Sequence, residues 1–246
     1  MFGLADRLYV RKKWEIIRED IDWHPVTKSF NSSNDSWYCF VPKIVIRDER
    51  VKVGILPKTG KLTYYIVSSI NLTTSNPQEM LRGLREIYDD AVGKINEDLF
   101  KGMKISLLGI SLGNVISTRL AGSLNNGKIK NLVSLVGGAR LGLSAWDSLQ
   151  TGRIAQNSGV TTKEEYEEIL KEFSPIEYTS GINPDNIFAR FGSADLMIRY
   201  NPHGKDLRRA LESIGAGRKD IKTYLFADHS SSIILSSMAG IHDTIK

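Results

Sequence analysis

The stretch K-I-S-L-L-G-I-S-L-G-N-V-I-S-T-R-L, Lys104 to Leu120, contains a change of period. Ile105, Leu107 and Leu108 make a short apolar run of strand length, Gly109-Ile110-Ser111-Leu112-Gly113 interrupts it, and Val115, Ile116 and Leu120 then recur at helical spacing. The reading is strand, sharp turn, helix. A G-x-S-x-G at such a junction forces its serine into a strained backbone conformation, while the glycines let strand and helix pass close together. Ser111 is then expected at the carboxyl end of a sheet, with a helix amino terminus behind it whose partial positive charge favours an oxyanion. These residue types in this order point to a serine nucleophile; a plain glycine turn is the bland alternative.

Upstream, residues 1–20 carry Leu4, Leu8, Trp14 and Ile17 among charges, a broken amphipathic helix expected to cover the core. Residues 21–36 read as a loop-rich link. Three runs of strand character follow, Trp37 to Arg47, Val51 to Pro57 and Leu62 to Ile70, separated by D-E-R and P-K-T-G-K, both short enough for hairpins. This predicts an antiparallel beginning. Asn76 or Ser75 caps a helix from Pro77 to Leu99, and a crossover helix between strands implies that the sheet continues in parallel.

Downstream, Leu132 to Val136 is a buried strand closed by Gly137-Gly138. Residues 139–185 contain no comparable strand but do contain a capping box, Thr162-x-x-Glu165, and are expected to form either a lid or pocket wall, or an ordinary crossover. Strands from Asn186 to Phe191 and Lys222 to Phe226 follow, with helices after Asn201-Pro202 and after His229. No repeat or linker divides the chain, so one α/β domain over 1–246 is expected.

Composition limits the function classes. The chain has 246 residues, 41% of them hydrophobic, with 4 His and 1 Cys, so a disulfide framework or Cys-rich metal site is not on offer. Cys39, in W-Y-C-F-V, is expected to be a buried hydrophobe. The net charge of +5 is spread along the chain among 28 acidic residues. That reads as a solvated basic surface and not a nucleic-acid footprint, with a membrane-surface role for the first 20 residues as the lesser alternative. The mixed apolar and basic amino terminus does not read as a secretory signal, and a cytoplasmic location is expected.

Ser111, Asp195 and His229 each follow a predicted parallel strand, and ligand sites of open α/β sheets collect at that edge. A serine hydroxyl needs an imidazole to take its proton, and the imidazole needs a carboxylate to fix its tautomer. Asp147 and Asp185 are competing acids, Asp228 reads as a turn residue, and His24, His203 and His242 read as surface residues.

Here the chain resembles the α/β-hydrolase family from about Trp37 onward. The resemblance rests on G-I-S-L-G at Gly109 to Gly113, G-S-A-D at Gly192 to Asp195, D-H-S at Asp228 to Ser230, and S-P-I at Ser174 to Ile176. It implies a mostly parallel sheet with antiparallel amino-terminal strands, helices on both faces, and a nucleophile, acid and base at Ser111, Asp195 and His229. It further implies cleavage of a carboxylic ester or related acyl bond in a small-molecule substrate, with no metal or cofactor; acyl transfer, thioester hydrolysis and non-catalytic binding are the alternatives. Leu112 supplies one oxyanion amide. For the second, the family's glycine run is replaced by S-S-I-N, which leaves Ser69 and Ile70 as candidates, and the chain reads one strand-helix unit short ahead of Ser111.

Overall fold

A computed structural model describes residues 25–30, 33–42, 46–47, 50–51, 60–67, 76–124, 129–183, 185–215 and 218–238. The amphipathic segment 1–20 lies outside the described residues. The first half comprises β1 (Val26–Phe30), β2 (Asp35–Val41), β3 (Ile46–Arg47), β4 (Arg50–Val51), β5 (Gly60–Ile66), α1 (Pro77–Phe100), β6 (Lys104–Ile110) and α2 (Gly113–Ser123). The second comprises β7 (Ile129–Leu135), α3 (Leu141–Asp147), α4 (Gly152–Gln156), α5 (Lys163–Leu170), β8 (Asn186–Gly192), α6 (Lys205–Ser213), β9 (Arg218–Tyr224) and α7 (His229–Met238).

Seven strands form one sheet in the order β1-β5-β2-β6-β7-β8-β9. Only β1 is antiparallel, to β5; every other pairing is parallel. The antiparallel strand thus falls in the stretch read as a link. V-T-K-S-F is a mostly exposed edge strand, so it needs no apolar alternation and gives little signal. Across D-E-R the hairpin forms as expected, Ile46 opposite Val51, but in a separate two-stranded sheet. Strand β5 instead lies between β1 and β2, and β2 separates it from β6. Strand β2, which precedes β5 in the chain, is thus inserted between two strands that follow it.

Strand alternation divides the core in two. Tyr38 and Phe40 of β2 pack with helices α1, α2 and α6 on one face, whereas Trp37, Cys39 and Val41 join the other cluster, which includes Ile233 of α7. Cys39 is fully buried and free, and burial pushes its thiol far above the usual range. Helix α1 starts where Asn76 accepts the amide of Gln78, and buries Met80, Leu84, Ile87, Ala91 and Ile95 along one stripe. Each large aliphatic side chain so buried contributes about 1.5–3 kcal/mol.

Near its end α1 is tied to the sheet through Asp98, which accepts hydrogen bonds from Ser36 (2.6 Å), Tyr38 (2.7 Å) and Lys61 (2.7 Å). Burial alone would raise this carboxyl, but the bonds from Lys61, Ser36 and Tyr38 outweigh it and hold it below the ordinary carboxylate range.

The junction between β6 and α2 is tight for identifiable reasons. A Cβ on Gly113 would lie 2.1 Å from the Phe40 carbonyl oxygen, and one on Gly109 would lie 2.2 Å from Ser117 Oγ. Only glycine fits at either place. Asn114, fully buried, then locks the turn: its Nδ2 donates to the carbonyls of Leu135 (2.7 Å) and Ser111 (3.1 Å), and its Oδ1 accepts from the Ser134 hydroxyl (2.5 Å).

Two outcomes are expected. Asn114→Ala orphans the Ser134 hydroxyl and leaves a cavity, lowering stability by about 2 kcal/mol in urea melts. Asp98→Asn breaks a buried ion pair and lowers stability near neutral pH by about 3 kcal/mol. A carboxyl depressed on folding stabilises above its unfolded value, about 3.9, and that contribution fades as pH falls through the lower folded value. The gap between Asp98→Asn and the parent therefore narrows as pH falls below the ordinary carboxylate range of about 4.

Candidate active site

Among the described residues three that are not glycine have positive φ: Ser111 (57°), Val136 (51°) and Phe226 (60°). They follow β6, β7 and β9, so all the left-handed strain of this kind among the described residues sits at the carboxyl edge of the sheet. Each amide is held by a neighbouring segment: Ser111 by the Leu135 carbonyl (2.9 Å), Val136 by the Arg190 carbonyl (2.8 Å) and Phe226 by Ser193 Oγ (2.8 Å).

At this edge Ser111 and Leu112 line a cleft of about 550 Å³, open mouth included. Leu112 is the N-cap of α2, so its amide belongs to the first-turn N–H groups that have no carbonyl partner within the helix. Together with the positive end of α2, it forms a place for negative charge beside the serine.

Asp195 and His229 are paired. His229 Nδ1 lies 2.7 Å from Asp195 Oδ2, and both residues are buried. Asp195 Oδ1 accepts the amides of Met197 and Ile198, each at 2.9 Å. An ionised carboxylate only accepts hydrogen bonds, so Nδ1 carries the proton, and in the neutral imidazole the lone pair lies on Nε2. The pairing is built by the backbone. The Ser193 amide donates to Tyr224 O (3.1 Å) and the Ala194 amide to Ala227 O (3.0 Å), stitching the two loops together. A Cβ on Gly192 would lie 2.2 Å from Ser232 Oγ, so the glycine of G-S-A-D permits that approach.

The competing residues are engaged elsewhere. Asp147 accepts from His203 Nε2 at 2.9 Å. His203 is buried at 4% exposure, contrary to its expected surface position, because it turns inward from the stretch between β8 and α6 to meet the end of α3. Asp185 precedes β8 and lies at the opposite, amino end of the parallel strands. Asp228 caps α7, accepting the Ser231 amide (2.8 Å) and hydroxyl (2.6 Å). His24, His242, Ser69 and Ile70 lie outside the described residues. The strand leading to Ser69 and Ile70 is β5, one place farther from β6 than β2 is.

Much of the cleft wall comes from the segment 139–185, which contributes Leu141, Ser144, Ala145, Ser148, Gln150 and Thr151. Its helices are pinned from below: the Leu141 amide donates to Ser174 Oγ (2.9 Å), and the Leu143 amide donates to Glu167 Oε2 (3.0 Å). The Thr162 hydroxyl accepts the Glu165 amide as a capping box requires, although Glu165 reaches back to Thr161 instead of the cap amide. Glu172 accepts from Arg85 of α1 and Arg119 of α2, and the Arg119 guanidinium lies 4.2 Å from the ring centres of both Tyr88 and Phe173. Sequence reasoning passed over Asn114, Met197 and Ile198. An Asn next to Gly113, heading a helix with Ser117 and Thr118 in its apolar run, was the available signal for the first. Among the described residues no group of three or more His, Cys, Asp or Glu is gathered as metal ligands would be, and no helix is long and apolar enough to cross a membrane.

Neither a protein-family model nor a curated protein matches the chain. Solved structures do. An acylaminoacyl peptidase from Pyrococcus horikoshii superposes with a TM-score of 0.60 at 13% identity over 90% of this chain, which spans 38% of that protein's length. TT1662 from Thermus thermophilus gives a TM-score of 0.61 at 16% identity, covering 89% of this chain and 90% of its own. The esterase domain of a Rhodothermus marinus protein gives 0.54 at 11% identity, with 92% and 98% coverage. Likeness at such identities concerns architecture alone, and the architecture of this chain is that of the α/β-hydrolases.

Proposed function

We propose that the protein is a serine hydrolase that cleaves a carboxylic ester or closely related acyl bond with Ser111 as nucleophile, His229 as general base and acid, and Asp195 as the carboxylate that orients the imidazole. The observation that carries this reading is the 2.7 Å Asp195–His229 pair at the same sheet edge as Ser111, which has φ 57° and lines an apolar cleft. A structural His–Asp pair would need neither the strained serine nor the cleft.

In this mechanism Ser111 Oγ attacks the substrate carbonyl carbon while its proton passes to His229 Nε2. The imidazolium so formed is stabilised by the Asp195 carboxylate. Negative charge gathers on the carbonyl oxygen, where the Leu112 amide and the α2 amino terminus face it. For the second amide the candidates are Ser69 and Ile70, which follow β5 in the chain; β2 lies between β5 and β6, with its Phe40 carbonyl against Gly113. Collapse of the tetrahedral intermediate expels the alcohol, which takes the proton from His229. Water then attacks the acyl-enzyme with His229 again as base, releasing the acid and restoring Ser111. Acyl transfer would use the same residues with another acceptor in place of water.

Ser111→Ala is expected to reduce turnover of short p-nitrophenyl esters by at least about 10³-fold and to abolish labelling by a fluorophosphonate probe, with an unchanged circular dichroism spectrum. Labelling that persists in the folded variant rejects the assignment, and an inert parent protein leaves the binding-protein reading in its place. Asp195→Asn replaces an acceptor with a donor facing Nδ1 and favours the wrong tautomer, so kcat should fall by about 10⁴-fold with little change in KM.

A further inference from the structure

Among the described residues of the wall beside Ser111, one hydroxyl has no structural task. Ser144, in the middle of α3, lines the cleft and is 7% exposed, yet its Oγ has no hydrogen-bond partner among the described residues. The other hydroxyls of the same wall are engaged. Ser148 Oγ accepts the amides of Gln150 (3.1 Å) and Thr151 (3.3 Å), and Thr151 Oγ1 donates to the Ala145 carbonyl (2.7 Å). A helical serine ordinarily satisfies itself on a carbonyl one turn back, here Arg140, which takes only the Ser144 amide (3.0 Å). Space for the hydroxyl is reserved at Gly138, where a Cβ would lie 2.5 Å from Ser144 Oγ. Around it the lining is apolar, with Met80, Leu112, Val115, Leu141, Met197 and Ile198, and among the described residues no charged side chain lines the cleft.

We propose that Ser144 is a specificity-determining residue and that the acyl group this cleft accepts is a neutral, mainly apolar chain bearing one oxygen function, keto or hydroxyl, that pairs with the Ser144 hydroxyl. A desolvated hydroxyl in an apolar wall favours a ligand that completes its hydrogen bond, and the uncharged lining of the described wall disfavours carboxylated or cationic chains. Such a site discriminates strongly, because an analogue lacking the oxygen leaves the hydroxyl unpaired. The inference rests on the cleft being the acyl site of the serine hydrolase proposed above.

The test separates the two by measuring binding without turnover. Hexanamide and its 3-, 4- and 5-oxo derivatives are titrated calorimetrically into the full-length Ser111→Ala protein and into Ser111→Ala/Ser144→Ala. At least one oxo derivative should bind about 10-fold or more tightly than hexanamide, and that advantage should vanish in the double variant. The Ser144→Ala change should not lower the melting temperature, since it removes an unpaired hydroxyl. If no oxo derivative exceeds hexanamide, or if the preference survives without Ser144, the proposal is overturned; a hydroxyl satisfied by a bound water gives the first of these results. Ester hydrolysis by the parent protein reports on Ser111 independently of either result.

Discussion

A serine held at φ 57° is the constraint around which this molecule is arranged. The conformation costs about 1–3 kcal/mol and survives only where the surroundings leave no relaxed alternative. They do so here by closing both sides of the turn. The Leu135 carbonyl takes the Ser111 amide, Asn114 holds the Ser111 carbonyl, and the Phe40 carbonyl lies where any side chain at position 113 would have to go. Strand β2 must therefore lie directly against β6, and the sheet order β5-β2-β6 satisfies that requirement although β5 is the strand nearer in sequence.

The same solution recurs along the edge. Val136 and Phe226 are also bent to positive φ, and each is clamped by a group from a neighbouring segment, so one strand end braces the next. At the last of these clamps, Ser193 bonds the loop that carries His229 while its neighbour in sequence, Ala194, leads into Asp195. The distance between imidazole and carboxylate is thus set by backbone bonds between β8 and β9, with the side chains adding little freedom of their own.

How much of this the sequence disclosed depended on whether a feature had a period or a local rule behind it. The elbow at Gly109 to Gly113, α1 and the strands β6, β7 and β8 had one, and their apolar runs could be read directly, whereas β9, Arg218–Tyr224, has no such run and begins four residues ahead of the expected Lys222. Strand β1 has none either: at an exposed edge, V-T-K-S-F needs only backbone pairing with β5, which leaves no mark on side-chain choice. The position of β2 was hidden for a different reason, since strand order is set by long-range packing and not by adjacency. His203 misled because a lone histidine near a helix start gives no hint that Asp147 reaches it from 56 residues away. The contact between Asp195 and His229 joins two residues that the sequence related only through order and loop position.

The cleft wall is fastened differently from the serine beside it. Helix α3 is supported by Ser174 and Glu167, and the segment behind it by the Glu172–Arg119–Arg85 cluster, while the turn at Ser111 depends on β2, β7 and Asn114. The two sets share almost no residues. Changes in the shape or polarity of the wall can therefore accumulate without disturbing the turn, so that what enters the cleft can diverge among descendants of this chain while the bend at Ser111 is inherited intact.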